Sequence, residues 1–284
     1  MTDTAPPAAG IDDCRHVEAE EASAVVAVLE ADPLVAAPAA EMVATSGVVP
    51  GEARFLTVGG PSRSLLYMGT SVLPLRGGTQ ELRAFGRAVA AMGRGSMSVH
   101  GRRELVSSIW ETLGLHWGAP RDHRATQVLM ELSRPVDPHL PLPGIRPAGL
   151  GEFEDVLPVA AAMYREELGS DPFTPGAGVP FRRRVARSLA RGRTWVGFDG
   201  DEIVFKADIA AMSPQVAQIQ GVWVRPGRRS RGIGTAGTAA VCAAVQSLGL
   251  TPSLVVNESN TPAVRAYRGV GMTPVVPYAT VLTY

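Results

Sequence analysis

The chain has 284 residues, 45% of them apolar, enough for one large domain or two ordinary ones with real cores. Acidic and basic side chains balance at 27 each, which argues against a general nucleic-acid binder. Two cysteines, five histidines without ligand-like spacing and no apolar run of ~18–20 residues exclude a disulfide framework, a structural metal and a membrane span. The acidic first 20 residues lack the apolar core of a secretory signal, so a soluble cytoplasmic protein is expected.

In chain order, the first half predicts a strand over 64–74, a helix over 79–92, a strand over 96–100, a helix over 103–114 and a strand over 124–132. "SRPVDPHLPLPGIRP" (133–147) then packs five prolines into fifteen residues. Proline removes backbone donors and favours extended structure, so this reads as an interdomain linker between domains 1–140 and 141–284.

The second half opens with a helix over 150–169 that Pro158 kinks or divides, then a basic helix near 180–191 carrying Arg182, Arg183, Arg184 and Arg187. "DG" at 199–200 predicts a hairpin of strands 194–199 and 202–212. A strand over 217–225, a helix over 232–248, a strand over 253–257, a helix over 261–271 and a closing strand over 278–284 complete the pattern. Sliding the first half by 157 residues lays 96–100 over 253–257, Gly77 over Gly234, Trp110 over Tyr267 and Gly114 over Gly271. Element order and length match better than identity does. The expected fold is α/β (α+β): two tandem modules, each a mixed, mostly antiparallel sheet flanked by helices.

Charge is not evenly spread. Residues 1–143 carry 12 basic against 16 acidic side chains, and 144–284 carry 15 against 11, a bias of the second half towards anionic ligands. Lys206 is the only lysine, so the arginine richness of the chain is mostly compositional and a single Arg is weak evidence of phosphate recognition.

One stretch stands out. "RRSRGIGTAG" (228–237) follows the apolar "AQIQGVWVRP" (217–226), with three arginines in four residues and then three glycines in six. A helix N-terminus offers unpaired N–H groups and the positive end of its dipole, and glycines let a bulky anion approach them. This is the recipe for a pyrophosphate cradle, with Arg229 and Arg231 as outer charge partners and Thr235 adding a hydroxyl. The stretch has no GK[ST], so a nucleoside-triphosphate loop is unsupported.

Arg229, Gly232 and Gly234 match [QR]xxGx[GA], and "GVWVRPGRR" precedes them while "VVNESNTPAVRAYRGVGM" (255–272) follows. On these residues, 144–284 resembles the GCN5-related N-acetyltransferase family. The first half resembles the region that accompanies this domain in some bacterial proteins, a degenerate copy of the same fold.

The resemblance implies transfer of an acetyl group from acetyl-CoA to an amine. By it, the amides of 229–234 hold the pyrophosphate, and the backbone of Val222, Trp223 and Val224 pairs with the pantetheine arm. Asn260 contacts the cofactor, and Tyr267 protonates the departing thiolate. Many relatives carry a glutamate on the fourth strand, where this chain has Gln218 and Gln220. Glu167 is then the first candidate base, with Asp208 and Glu258 behind it. The first copy reads "VLPLRGGT" at its loop and has Trp110 at the tyrosine position, so it is expected to bind no CoA. The acceptor is a small-molecule or protein amine, with no nucleic acid or membrane partner, and dimers are common among relatives. Competing readings are a tandem-domain acyltransferase resembling mycothiol synthase, an aminoacyl-tRNA-dependent ligase, and an acyl-CoA sensor without turnover.

Overall fold

A computed structural model describes residues 14–48 and 55–283; Tyr284, the end of the expected closing strand, lies outside them. Two compact units emerge, residues 1–129 with 276–284, and residues 130–275. Among the described residues no helix is long and apolar enough to cross a membrane.

The first unit begins with β1 (Arg15–His16), α1 (Ala22–Ala31) and α2 (Pro33–Ser46). The two helices are absent from the sequence reading, because alanine-rich segments with Pro33 and Pro38 show little periodicity. Pro33 nevertheless stands in the first turn of α2, where its missing N–H costs nothing. The expected strand over 64–74 is a hairpin instead: after β2 (Phe55–Thr57) come β3 (Leu65–Met68) and β4 (Val72–Arg76), joined across 69–71. α3 (Thr79–Ala91), β5 (Ser98–Arg102) and α4 (Arg103–Trp117) follow, and β6 (Asp122–Glu131) leads towards the second unit. β4 and β5 are parallel, as a helical crossover requires. α3 and α4 bury Leu82, Phe85, Ile109 and Leu113 over these strands.

The first unit's sheet is completed by β12 (Thr273–Leu282), whose Tyr278–Leu282 pairs antiparallel with Ser98–Arg102. Here Tyr278 meets a polar chain: His100 Nδ1 lies 2.6 Å from the Tyr278 hydroxyl, and its Nε2 lies 2.8 Å from Ser71 Oγ. Burial pushes His100 down to about 4 and the Tyr278 phenol up, so the imidazole is neutral at physiological pH.

The second unit holds β7 (Arg146–Pro147), α5 (Phe153–Leu168), α6 (Gly178–Ala190), β8 (Thr194–Asp199), β9 (Glu202–Met212), β10 (Val216–Val224), α7 (Ile233–Ser247), β11 (Thr251–Asn257) and α8 (Thr261–Val270). Its strands run β11-β10-β9-β8-β7 across the sheet. β10 and β11 are parallel, and the other neighbours are antiparallel. Pro158 sits inside α5 without dividing it, and α5 ends at Gly169 in the left-handed conformation. The proline-rich stretch is not free: Gln246 on α7 bonds the Val136 N–H and the Arg134 carbonyl, and Leu142 N–H reaches Ala236 O.

Two faces cover this sheet differently. α7 lies against the face carrying Ala217 and Ile209, where Val245 packs. Gly237 permits the contact, since a Cβ there would stand 2.4 Å from the Phe205 ring. α5 and α6 cover Val196, Ile203 and Trp223 on the opposite face.

Candidate active site

β10 and β11 are in register only from Val216–Ile219 to Thr251–Leu254, although β10 continues to Val224 and β11 to Asn257. Beyond Ile219 the parallel ladder stops, and the β11 side of residues 220–224 faces a splay between the strands. A bulge between Gln220 and Trp223 adds to it, with Gly221 at φ +56°. The half-buried Val222 and Val224 and the buried Trp223 thus lie on a strand edge able to accept an extended ligand.

The chain then turns through 226–228 and enters α7 by way of two left-handed residues. Ser230 has φ +59°, the only positive φ outside glycine among the described residues, and Gly232 has φ +79° as the N-cap of α7. The first ladder bond at this end runs from Ala236 N–H to Gly232 O at 2.9 Å. Amides from Gly232 to Thr235 therefore precede the ladder and point out of the helix end. Nothing lies within 4 Å of a Cβ built on Gly232, so that glycine is required by its φ, not by crowding. Gly234 packs its bare Cα towards Val224 Cγ2, 3.6 Å from the Cβ position. These features make an anion-binding nest on a helix dipole.

The arginine run divides its work. Arg228 pairs with Asp199 at 2.5 Å. Arg229 donates from Nε to the Val224 carbonyl at 2.9 Å and from Nη2 to Glu166 at 2.6 Å. The same carboxylate accepts the Trp223 indole N–H at 3.3 Å, so Glu166 staples α5 to the end of β10. Arg231 is exposed at the mouth of the nest. Glu166 had no signal in the sequence, since one of two adjacent glutamates on a helix carries no pattern of its own.

Thr235, in the first turn of α7, packs against α8, with its Cγ2 3.2 Å from the Cβ position of Gly269. Asn260 is exposed and caps α8, its side chain accepting from Ala263 N–H at 3.3 Å. Tyr267, one turn before the end of α8, is 8% exposed. Its phenol is pushed up first by burial and then by the negative charge of Glu167, so it stays protonated at any physiological pH. Glu167 on α5 is exposed, and Tyr267 on α8 is buried. Gln218 is buried, and Gln220 is exposed beside Asp208 in register.

Residues 160–272 match the model of the acetyltransferase (GNAT) family, and residues 52–156 match a domain of unknown function, DUF4081. The segment 160–272 belongs to the GNAT family. Solved structures share the fold of this GNAT domain and of the region before it. A GCN5-related N-acetyltransferase from Sphaerobacter thermophilus is 19% identical over 94% of this chain and 93% of its own, with a TM-score of 0.55. A GNAT-family acetyltransferase from Colwellia psychrerythraea is 10% identical over 96% and 100%, with a TM-score of 0.54. A GNAT-family acetyltransferase from Novosphingobium aromaticivorans is 17% identical over 88% and 97%, at 0.54. At these identities the likeness is one of fold. No curated protein matches the chain.

Proposed function

We propose that the GNAT domain is an N-acetyltransferase that moves an acetyl group from acetyl-CoA to a primary amine of a small molecule or protein. One observation carries this reading: a splayed parallel strand pair opens next to a left-handed glycine at a helix N-terminus. The donor set fits a CoA ester, with outward amides of α7 for the pyrophosphate and a strand edge at 222–224 for the amide-bearing arm. When bound, acetyl-CoA supplies a thioester whose acyl carbon is open to attack by an amine.

The chain's own residues then have distinct tasks. Amides at 232–235, with Arg231 outside them, hold the phosphates. A backbone N–H at the bulge of β10, next to Gly221, polarises the thioester carbonyl. Tyr267, kept protonated mainly by its burial, gives its proton to the departing sulfur; Glu167 is the sequence's candidate for the base. Asn260 serves the site through the start of α8.

Two expected results test the reading. Tyr267→Phe lowers kcat by ~10–100-fold, the worth of one lost acid, with little change in CoA affinity measured by calorimetry. Unchanged kcat removes Tyr267 from the chemistry. Gly232→Val forces a β-branched residue to φ +79° and weakens CoA binding about tenfold or more, a loss of ~1.4 kcal/mol. Normal affinity in that variant undoes the cradle.

A second reading, an acyl-CoA sensor without turnover, draws on Gln218 and Gln220 standing on the strand where the family resemblance leads one to expect a glutamate. CoA binding without transfer to any amine favours it.

A further inference from the structure

The only lysine of the chain is also among its most deeply buried charges. Lys206, on β9, is 2% exposed and pairs with the carboxylate of Asp208 two residues on. Residues at i and i+2 of a strand share a face, here the face opposite α7. The other oxygen of Asp208 accepts the Thr194 hydroxyl of β8 at 2.8 Å, and Thr194 Oγ1 lies 2.8 Å from Ser188 Oγ on α6. A hydroxyl has one proton, so Thr194 donates to Asp208 and accepts from Ser188. This chain of groups runs from a helix at the surface to the middle of the sheet, and core packing does not require it.

Its inner end is at the β10 bulge. Asp208 is the cross-strand neighbour of Gln220, and its Oδ2 lies 3.4 Å from where a Cβ of Gly221 would stand. Met163 of α5 borders the same point at 3.0 Å. A Cβ at Gly221 would crowd both Met163 and Asp208, so the glycine lets the β10 bulge pass close to the carboxylate. Lys206 itself is closed off, while the Asp208 side chain keeps 17% of its surface. Each carboxylate oxygen has one partner and further lone-pair capacity.

Resting on the acetyltransferase reading, we propose that Asp208 is the site that receives the acceptor's ammonium group and takes its proton. The acceptor is a primary amine that reaches the exposed part of the Asp208 carboxylate beside the bulge. One N–H bond of the ammonium breaks and an O–H bond forms on Asp208. The freed nitrogen lone pair bonds the acyl carbon, the C–S bond breaks with its electron pair on sulfur, Tyr267 protonates that sulfur, and the second N–H proton of the attached nitrogen passes to the Tyr267 phenolate, leaving a neutral amide. Lys206 and Thr194 are positioning residues: one supplies the counter-charge, the other fixes the carboxylate rotamer.

The test uses the full-length chain with acetyl-CoA and a panel of primary amines and lysine-containing peptides. CoA affinity is read by calorimetry, amine-dependent thiol release by colour, and amine affinity by calorimetry on the CoA-saturated protein. Asp208→Asn is expected to bind CoA within about twofold of the parent, to lose thiol release at least ~100-fold, and to bind the best amine at least ~10-fold more weakly. Glu167→Gln keeps its amine affinity. Should Asp208→Asn fail to fold, Asp208→Glu keeps the charge beside Lys206 but moves the carboxylate by one methylene; a loss of at least ~10-fold in kcat with normal CoA binding is then expected. Turnover within about threefold of the parent in either variant overturns the proposal. So does a parent protein that binds CoA and acetylates no amine, an outcome that leaves the cradle standing. Absence of CoA binding in the parent overturns the underlying reading as well.

Discussion

Lys206→Met lowers the stability of the second unit by about 3 kcal/mol, the lower end of what removing one partner of a buried ion pair costs. In a unit of this size that corresponds to a fall in Tm of about 10 °C, read by calorimetry or by the second unit's denaturant transition. The reason is asymmetric. Lys206 lies in the middle of β9, in register with Trp223 on one side and Val196 on the other, and water cannot replace it. Methionine fills the space but leaves the Asp208 carboxylate with Thr194 alone. The double variant Lys206→Met with Asp208→Leu regains most of the loss, because two apolar groups leave no orphaned charge. A double variant no more stable than the single would show that packing, not charge, holds this point. Such a pair adds little net stability, so its retention agrees with a task at the bulge.

Acidification gives the second large effect, in the first unit. His100 titrates near 4 in the fold against about 6.5 for a free imidazole, so between those values only the unfolded chain takes up the proton. Stability attributable to His100 is complete above pH 6.5 and falls as pH drops through the window. Between pH 6.5 and 4.5 the loss is about 2 kcal/mol. Glu21, Glu81 and Glu152, held low mainly by arginine partners and backbone N–H groups, lose their contributions only below the ordinary carboxylate range, which separates the two effects. His100→Gln flattens the curve from pH 6.5 to 4.5 while leaving the acid limb in place. A variant with the same slope as the parent would assign the titration elsewhere. The partners facing His100 come from three segments, Ser71 in the turn before β4, Tyr278 on β12, and Asp32, whose charge acts on Tyr278 and which pairs with Arg102 at 2.7 Å.

Much of the candidate site was legible because its physics is local. A glycine with positive φ at a helix start, a proline in the first turn of α8 and an asparagine capping it are decided by neighbours in sequence. The glycine turn at the start of α7, proposed as the cradle, could therefore be located before any fold was known. Arg229 shows the limit of such reading, since its side chain is taken up by Val224 O and Glu166 of α5, 63 residues away in the chain. α1 and α2 escaped notice for a different reason. Their alanines supply helix propensity without an amphipathic stripe, and periodicity cannot find what composition alone supports. The break of 64–74 into a hairpin hinges on three small residues, "GTS", at 69–71, which a run of apolar residues on both sides concealed.

By itself the sequence determined the order of strands and helices in the second unit, the glycine turn that opens α7, and the family resemblance. These depend on spacing and on backbone freedom, both written residue by residue. Tertiary structure alone decided which distant groups meet: Glu166 with Arg229, Asp208 with Lys206 behind Gly221, and Tyr278 with His100. Such pairings depend on strand register and helix packing, where a shift of one residue turns every side chain to the other face, and no local pattern encodes them.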